Sequence, residues 1–354
     1  MSDFNSGAQA APDKTELFTA ILGESPSRGA KSPSLWNAAF EELGLPGSML
    51  AIDVPPTRLG EVVEGLRSDK RFIGGSVTMP YKIDIMPYLD EVDHEAGIIG
   101  AVNCLYRDGD RLCGANTDGA GAMWGLEKRV GGPLRGRCAL MVGTGGAGFA
   151  VAFSLAEALG KDGTLLLANR TPGPAQGLAK RLASLCRAEV IAWPVTAGDA
   201  ARASLLANCT SVGFETMKKD AGGAFSLRPY TALGPLDYKL RVPEGPDALP
   251  DYFAQASRAI GDNIAWSMRV LAAMDHPLVF DVIYQPKVTM LLHLAEILGY
   301  PTLNGVSMNL EQAVIAFDKA TVAAGLRPPD TDSVRVIMTK VWHQESITAS
   351  CRAV

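Results

Sequence analysis

The chain has 354 residues, 47% of them hydrophobic, enough to bury a substantial core and, at this length, to make two domains. Its formal net charge of −5 gives no basic footprint for nucleic acid, and no apolar run approaches the roughly 20 residues that span a bilayer. The six cysteines form no Cys-x-x-Cys pair and the four histidines are scattered, which argues against a metal centre and for free thiols in a reducing, cytoplasmic setting.

Residues 1–15 are small and polar and are expected to be a disordered tail. Leu17–Leu22 predicts a first strand. A polar Gly/Ser/Pro loop follows, and then a helix to about Leu43 with Ser32 as N-cap and Pro33 at its first position. Met49–Val54 predicts a strand, Arg58–Ser68 a helix and Phe72–Val77 another strand. This alternation implies a mostly parallel sheet. Thr78 and Lys82 flank an expected helix start with Pro80 in its first turn. Ala101–Tyr106 and Arg111–Asn116 predict a hairpin around Asp108-Gly109, a strong turn pair, and a helix is expected from Gly119 to Lys128.

The centre of the chain is Cys138-Ala-Leu-Met-Val-Gly-Thr-Gly-Gly-Ala-Gly148. A run of strand length enters Gly143, Gly145 and Gly148, and small and apolar residues follow at helical spacing. This strand–turn–helix pattern suits a dinucleotide pyrophosphate, which needs close backbone approach and the N–H groups of a helix start. Residues Gly143, Thr144, Gly145, Gly146, Ala147 and Gly148 are the expected cradle. The next strand, Thr164–Asn169, ends in Asn169-Arg170-Thr171 with no carboxylate where NAD would bind its ribose. Arg170 there favours the 2′-phosphate of NADP, with NAD as the alternative. Glu189–Trp193, Leu205–Asn208 and Leu278–Tyr284 predict further strands. Thr210 and Ser211 sit on a polar loop after the second of these. Residues 215–275 are irregular, then carry an amphipathic helix over about Asp251–Ala273 with Phe253, Ala256, Ile260, Ile264 and Leu271 on one stripe. Helices over Val288–Leu298, Met308–Ala324 and Asp332–Val341 are expected to close the chain.

Val77-Thr-Met-Pro-Tyr-Lys82, Gly100-Ala-Val-Asn103, Asn116-Thr-Asp118, the glycine loop, Asn169-Arg-Thr171, Asn208-Cys-Thr-Ser211, Phe280–Pro286 and Met308-Asn-Leu-Glu-Gln312 occur in the order seen in shikimate dehydrogenases. The chain resembles that shikimate/quinate dehydrogenase family over about 16–214 and 278–325. The resemblance implies an α/β protein of two domains: an α/β substrate domain (16–118 and 288–354, the C-terminal helices returning to it) and a Rossmann-type NAD(P)-binding domain (119–287, with an insertion at about 215–275). It implies Lys82 and Asp118 as the catalytic pair, Ser32, Thr78, Asn103, Tyr284 and Gln312 as substrate ligands, and a small ring hydroxy acid as substrate. A monomer or homodimer is expected.

The chemistry agrees with that pairing. Oxidising a secondary alcohol needs a proton acceptor beside the carbon that loses hydride. A lysine with its free pKa of about 10.4 is a poor base, burial improves it, and a neighbouring carboxylate holds the amine in place. Lys82 is expected to exchange the proton and Asp118 to orient it. Taken singly, each of these residues also suits a structural role: Asp118 as a helix cap, Asn103 as a turn residue, Lys82 and Gln312 as solvated helix positions.

The first loop departs from the family. Two serines spaced Ser-x-Ser-Pro usually bind the substrate carboxylate, but here the run is Arg28-Gly-Ala-Lys-Ser-Pro33, with Ala30 in the first serine's place. The lost donor is worth about 1–3 kcal/mol in a buried site, and Arg28 or Lys31 stands close enough in sequence to replace it. Shikimate, quinate and other ring acids therefore remain candidate substrates, beside a silent homologue that senses NADP or a ring acid. For 215–275 a lid, a subunit contact and a decoration of the nucleotide domain are the alternatives.

Overall fold

The computed structural model of the chain describes residues 16–219, 225–236, 242–243, 245–326 and 330–352. The tail expected over 1–15 lies outside the described residues, as do 220–224, 237–241 and 244 of the expected insertion. The chain divides into two compact units, one up to Gly121 together with Asn309 onward, the other Ala122–Met308.

The first unit opens with β1 (Phe18–Gly23), α1 (Ser32–Glu42), β2 (Ser48–Asp53), α2 (Leu59–Ser68) and β3 (Phe72–Val77). Every residue of β1 and β3 is buried, Thr19 and Ser76 included, as in strands covered on both faces. β4 (Glu91–Val92) and α3 (His94–Ile99) precede the hairpin of β5 (Cys104–Asp108) and β6 (Arg111–Ala115), and α4 (Asp118–Val130) begins directly after it. The sheet order is β2-β1-β3-β5-β6-β4; β1 is parallel to β2 and β3, β4 is parallel to β6, and β5 is antiparallel to both its neighbours. One face is filled by Leu22, Val54, Leu59, Val62, Phe72, Tyr81 and Leu105.

In the second unit β7 (Cys138–Val142), α5 (Gly146–Leu159), β8 (Thr164–Ala168), α6 (Pro172–Leu182), β9 (Arg187–Ile191), α7 (Ala197–Ala200) and β10 (Leu205–Asn208) alternate as a nucleotide-binding fold does. A two-stranded ribbon of β11 (Met217–Lys219) and β12 (Phe225–Leu227) follows, then α8 (Leu249–Ala272), β13 (Leu278–Asp281), α9 (Met290–Ile297) and β14 (Thr302–Leu303). The six-stranded sheet, β14-β13-β10-β7-β8-β9, is parallel throughout. α10 (Val306–Ala323) and α11 (Thr331–Arg352) end the chain. Back in the first unit, Phe317 of α10 meets Trp36 and Phe40 of α1 at ring-centroid distances of 5.2 and 5.0 Å, good geometry for aromatic pairs.

The structure corrects several expectations. Residues 288–308, expected with the substrate domain, cluster with the second unit. The reason is packing: Leu291, Leu292, Leu294 and Ala295 of α9 share a core with Leu140, Leu206 and Val279 of the parallel sheet. The segment after Thr78 is a run of turns, not a helix start. Pro80 and Pro87 supply no N–H, and the Lys82 carbonyl accepts the Val102 N–H at 2.7 Å instead of continuing a helical ladder. Ser32 is the first residue of α1 and not its cap; Lys31 holds the cap position. The terminal helix runs to Arg352, well past Val341.

The apolar stripe of α8 also differs. Phe253 is 49% exposed, and the buried positions are Tyr252, Ala256, Asn263, Ser267, Val270 and Leu271. Parallel neighbours such as β10 and β13 need a long crossover, and α8 lies within it. Val270, Leu271 and the adjacent Met274 pack with Val195, Leu206 and Val279. Its buried Asn263 is satisfied: it accepts the Thr231 N–H at 2.8 Å and donates to the carbonyls of Thr231 and Pro235 at 3.1 and 2.9 Å. The segment expected as an insertion thus carries part of the second unit's core.

Candidate active site

In the first unit the loops after β1 and β3 sit side by side at the strands' C-terminal ends. Thr78 N–H donates to the Leu22 carbonyl at 2.8 Å, Glu24 N–H to the Met79 carbonyl at 3.2 Å, and Val77 N–H to the Asn103 carbonyl at 2.8 Å. This edge is where open α/β sheets bind ligands. Ser32 opens α1 directly after the first of these loops, Thr78 lies on the second, and Lys82 follows it.

A polar cluster is built at the same edge. Lys82 Nζ lies 2.6 Å from Asp118 Oδ2, with side chains 23% and 7% exposed. Asn103 Nδ2 donates to Asp118 Oδ1 at 2.8 Å and to Gln312 Oε1 at 3.2 Å. Asn103 Oδ1 accepts the Thr117 N–H at 2.8 Å, and Thr117 Oγ1 donates to the Gln312 carbonyl at 3.0 Å. Asn116 Oδ1 accepts the Asp118 N–H at 3.1 Å, and its Nδ2 holds the Ala101 carbonyl at 3.0 Å. Four predicted residues from distant parts of the chain, Lys82, Asn103, Asp118 and Gln312, therefore form one hydrogen-bonded group. The ammonium is its one strong proton donor, and the carboxylate that holds it is itself fixed by an amide, so an exchangeable proton is kept in a defined place. Thr117 bridges the group and had no signal of its own in the sequence beyond its neighbours.

Lys31 Nζ forms a 2.6 Å ion pair with Glu345 Oε2 of α11, each side chain about one-third exposed (30% and 32%), while Arg28 is exposed.

In the second unit the glycine loop has distinct parts. Gly143 has φ +96, and a Cβ there would lie 2.5 Å from Thr210 Cγ2 and 2.9 Å from the Cys209 backbone. A Cβ on Gly148 would lie 2.6 Å from the Gly143 carbonyl oxygen. Gly145, the N-cap of α5 at φ −97, would have nothing within 4 Å of an added methyl, so its face is open to a ligand. Thr144 is 2% exposed, and its Oγ1 is buried with no hydrogen-bond partner, while its N–H donates to Asn169 Oδ1 at 3.2 Å.

A cavity of ≈ 320 Å³ lies beside this loop, lined by Val142, Gly143, Asn169, Arg170, Thr171, Trp193, Thr210, Ser211, Val212, Ala232 and Leu236. An open N-cap, an orphaned hydroxyl and an arginine at the end of β8 fit a dinucleotide with a phosphorylated ribose. Trp193, Ala232 and Leu236 were not legible in the sequence: the Trp193 indole N–H donates to the Ala232 carbonyl at 2.8 Å, so the crossover segment walls this cavity.

Behind the cavity a buried network sets the Thr210 loop. Asp281 is fully buried and accepts from Asn208 Nδ2 at 3.1 Å, Ile283 N–H at 3.1 Å and Thr289 Oγ1 at 2.7 Å. Asn208 Oδ1 accepts the Thr210 hydroxyl at 2.7 Å and its N–H at 3.0 Å. Burial pushes the Asp281 carboxyl up to about 6, against the three hydrogen bonds that favour its charge. Tyr284 belongs to this unit, on the loop between β13 and α9, and not to the unit that holds the Lys82 cluster. Among the described residues, no three His, Cys, Asp or Glu side chains gather as a metal site, and no helix is long and apolar enough to cross a membrane.

The shikimate dehydrogenase substrate binding domain profile matches residues 22–105. The NADP(+) shikimate dehydrogenase of Methanocaldococcus jannaschii is 31% identical over 304 residues, 86% of this chain and 90% of that one. Among solved structures, the shikimate 5-dehydrogenase of Listeria monocytogenes, in complex with shikimate and NAD, has a TM-score of 0.69 at 27% identity, covering 94% of this chain and 99% of that one. The Thermus thermophilus shikimate 5-dehydrogenase, in complex with NADP(H) and shikimate, has a TM-score of 0.64 at 30% identity, covering 92% and 99%.

Proposed function

The chain belongs to the shikimate dehydrogenase family, and we propose that it is an NADP-dependent oxidoreductase interconverting shikimate, or a closely related ring hydroxy acid, and its 3-keto form. The observation that carries this reading is the 2.6 Å Lys82–Asp118 pair, fixed by Asn103 at the ligand-binding edge of a sheet. When bound, NADP would supply at its nicotinamide the acceptor for the hydride that leaves the hydroxyl-bearing carbon in oxidation. Lys82 Nζ takes the hydroxyl proton in that direction and returns it in reduction. Asp118 holds the amine towards the hydroxyl, Asn103 holds Asp118, and Thr117 holds Asn103. Gln312 and Asn103 offer amide groups to the ring hydroxyls, with Ser32, Thr78 and Tyr284 as further substrate ligands.

Gly143, Thr144, Gly145, Gly146, Ala147 and Gly148 cradle the pyrophosphate. Asn169, Arg170 and Thr171 receive the ribose phosphate, and Thr210 and Ser211 line the far wall. The free thiols of Cys104, Cys113, Cys138, Cys186 and Cys209 are in keeping with a reducing compartment, and the reading extends to a cytoplasmic enzyme acting as monomer or homodimer.

The test is absorbance of the reduced nicotinamide with NADP or NAD and, in turn, shikimate, quinate and other ring hydroxy acids. NADP reduction by shikimate is expected. Turnover of quinate or another acid in preference to shikimate makes the Ala30 loop the specificity determinant. Silence across the panel with NADP still bound refutes the catalytic reading.

A further inference from the structure

Two adjacent residues of α10 are tied to different neighbours. Gln312 meets the Lys82 cluster, where its Oε1 accepts Asn103 Nδ2 at 3.2 Å and its carbonyl accepts the Thr117 hydroxyl at 3.0 Å. Glu311, about 100° round the helix from it, meets α11. It is 2% exposed, and both its oxygens are held: Arg335 Nε donates to Oε2 and Nη2 to Oε1, each at 2.7 Å. Asp332 accepts from Nη1 of the same guanidinium. About two turns further along α10, the Thr331 hydroxyl at the start of α11 donates to Asp318 Oδ2 at 2.5 Å. The first turns of α11 thus grip α10 at two points.

Against the sheet α10 sets small residues. The Ala316 carbonyl oxygen lies 4.0 Å from Cys104 Sγ of β5, and a Cβ on Gly74 of β3 would lie 3.1 Å from Ala320 Cβ. Apolar packing of this kind is non-directional and leaves the rotation of α10 about its axis weakly defined. Two parallel N–H···O bonds from a planar guanidinium are directional. A buried ion pair also costs desolvation that apolar side chains of the same size would avoid, so geometry and not stability is what it supplies best here.

We propose that Arg335 is a positioning residue for the reaction, acting through Glu311: its fork sets the rotation of α10 that brings Gln312 to Asn103, and so to the Lys82–Asp118 pair. The proposal rests on the functional reading above and extends that site to a side chain of α11 that touches no substrate. A lysine in its place keeps the charge and loses the fork. A displacement of about 1 Å at Gln312 then loosens its bond to Asn103 and costs up to about 10²-fold in rate.

Kinetics with shikimate for R335K, Q312A, R335K/Q312A and E311L/R335M test this, the last filling the same space without the buried charges. R335K and E311L/R335M are each expected to lower kcat/KM about ten- to hundredfold. In the Q312A background R335K should change it less than about twofold, because nothing remains for the fork to place. Wild-type kcat/KM in folded R335K or E311L/R335M overturns the proposal and leaves the pair as a fastener of α11. A loss from R335K that is as large without Gln312 as with it overturns the proposal too. Wild type that turns over no ring acid refutes the functional reading instead. The side-chain amide resonance of Gln312, assigned by its disappearance in Q312A, then decides the positioning in the ligand-free protein: a shift towards the free-amide position in R335K is expected, and an unmoved resonance overturns it.

Discussion

Two glycines of one loop separate the stability of the second unit from its affinity for cofactor. At Gly143 the backbone has φ +96, and an added methyl meets Thr210 Cγ2 at 2.5 Å and Cys209 backbone at 2.9 Å. Gly143→Ala therefore carries left-handed strain of about 1–2 kcal/mol and overpacking of about 1–3 kcal/mol. The Cys209 backbone cannot yield cheaply, because Cys209 N–H is bonded to the Val142 carbonyl at 2.8 Å at the end of β10. A loss of about 2–5 kcal/mol is expected from these two effects together.

At Gly145 the backbone is extended, with φ −97 at the N-cap of α5, and a methyl meets nothing within 4 Å. Alanine is a poorer N-cap than glycine, but it restricts the unfolded chain by about 0.4–1 kcal/mol in compensation. Gly145→Ala should leave ligand-free stability within about 1 kcal/mol of wild type. Its methyl nevertheless stands on the face proposed for the pyrophosphate, so the Kd for NADPH should rise at least about tenfold, or about 1.4 kcal/mol. Urea unfolding of the ligand-free proteins gives the first quantity and fluorescence titration with NADPH the second. Wild-type NADPH affinity in Gly145→Ala would refute the assignment of that face. Full ligand-free stability in Gly143→Ala would refute the steric argument.

Lys82→Met should cut kcat by about 10²–10⁴ while NADPH binding persists, since the proton acceptor is lost but the second unit is untouched; stopped-flow and titration measurements check both halves. Asp281 binds its proton more tightly in the fold, at about 6, than in the unfolded chain, at 3.8. Its stabilising contribution is therefore fully present below about pH 3.8 and is lost as pH rises through about 6. The stability difference between wild type and Asp281→Asn should shift by about 3 kcal/mol between about pH 3.5 and 7.5 in urea unfolding, and parallel curves would contradict the burial argument. Asn263→Ala leaves the Thr231 N–H and the Thr231 and Pro235 carbonyls without their partner and should cost about 1–3 kcal/mol. Deleting 218–272 should abolish folding of the second unit, whereas a soluble, NADPH-binding deletion would make α8 a dispensable decoration.

Local periodicity and turn chemistry determined much of this protein before any tertiary contact. β3 is read to the residue at Phe72–Val77, and the β5–β6 hairpin turns at Gly109 and Asp110 beside the predicted Asp-Gly pair. The glycine loop was legible because a tight turn and close backbone approach leave few residue types to choose from. Lys82, Asn103, Asp118 and Gln312 were named from motifs whose order is a property of sequence.

What tertiary structure alone decided is which distant groups meet. Asn103 and Gln312 are joined across 209 positions, and Lys31 and Glu345 across 314. No local pattern encodes a pairing at such separation, because a side chain's partner depends on how helices pack and not on helical or strand period. The same reason explains the crossover. A stripe that includes buried Asn263 and Ser267 disguises the share of α8 in the core, since an apolar count cannot recognise polar groups whose burial is satisfied by hydrogen bonds made elsewhere in the fold.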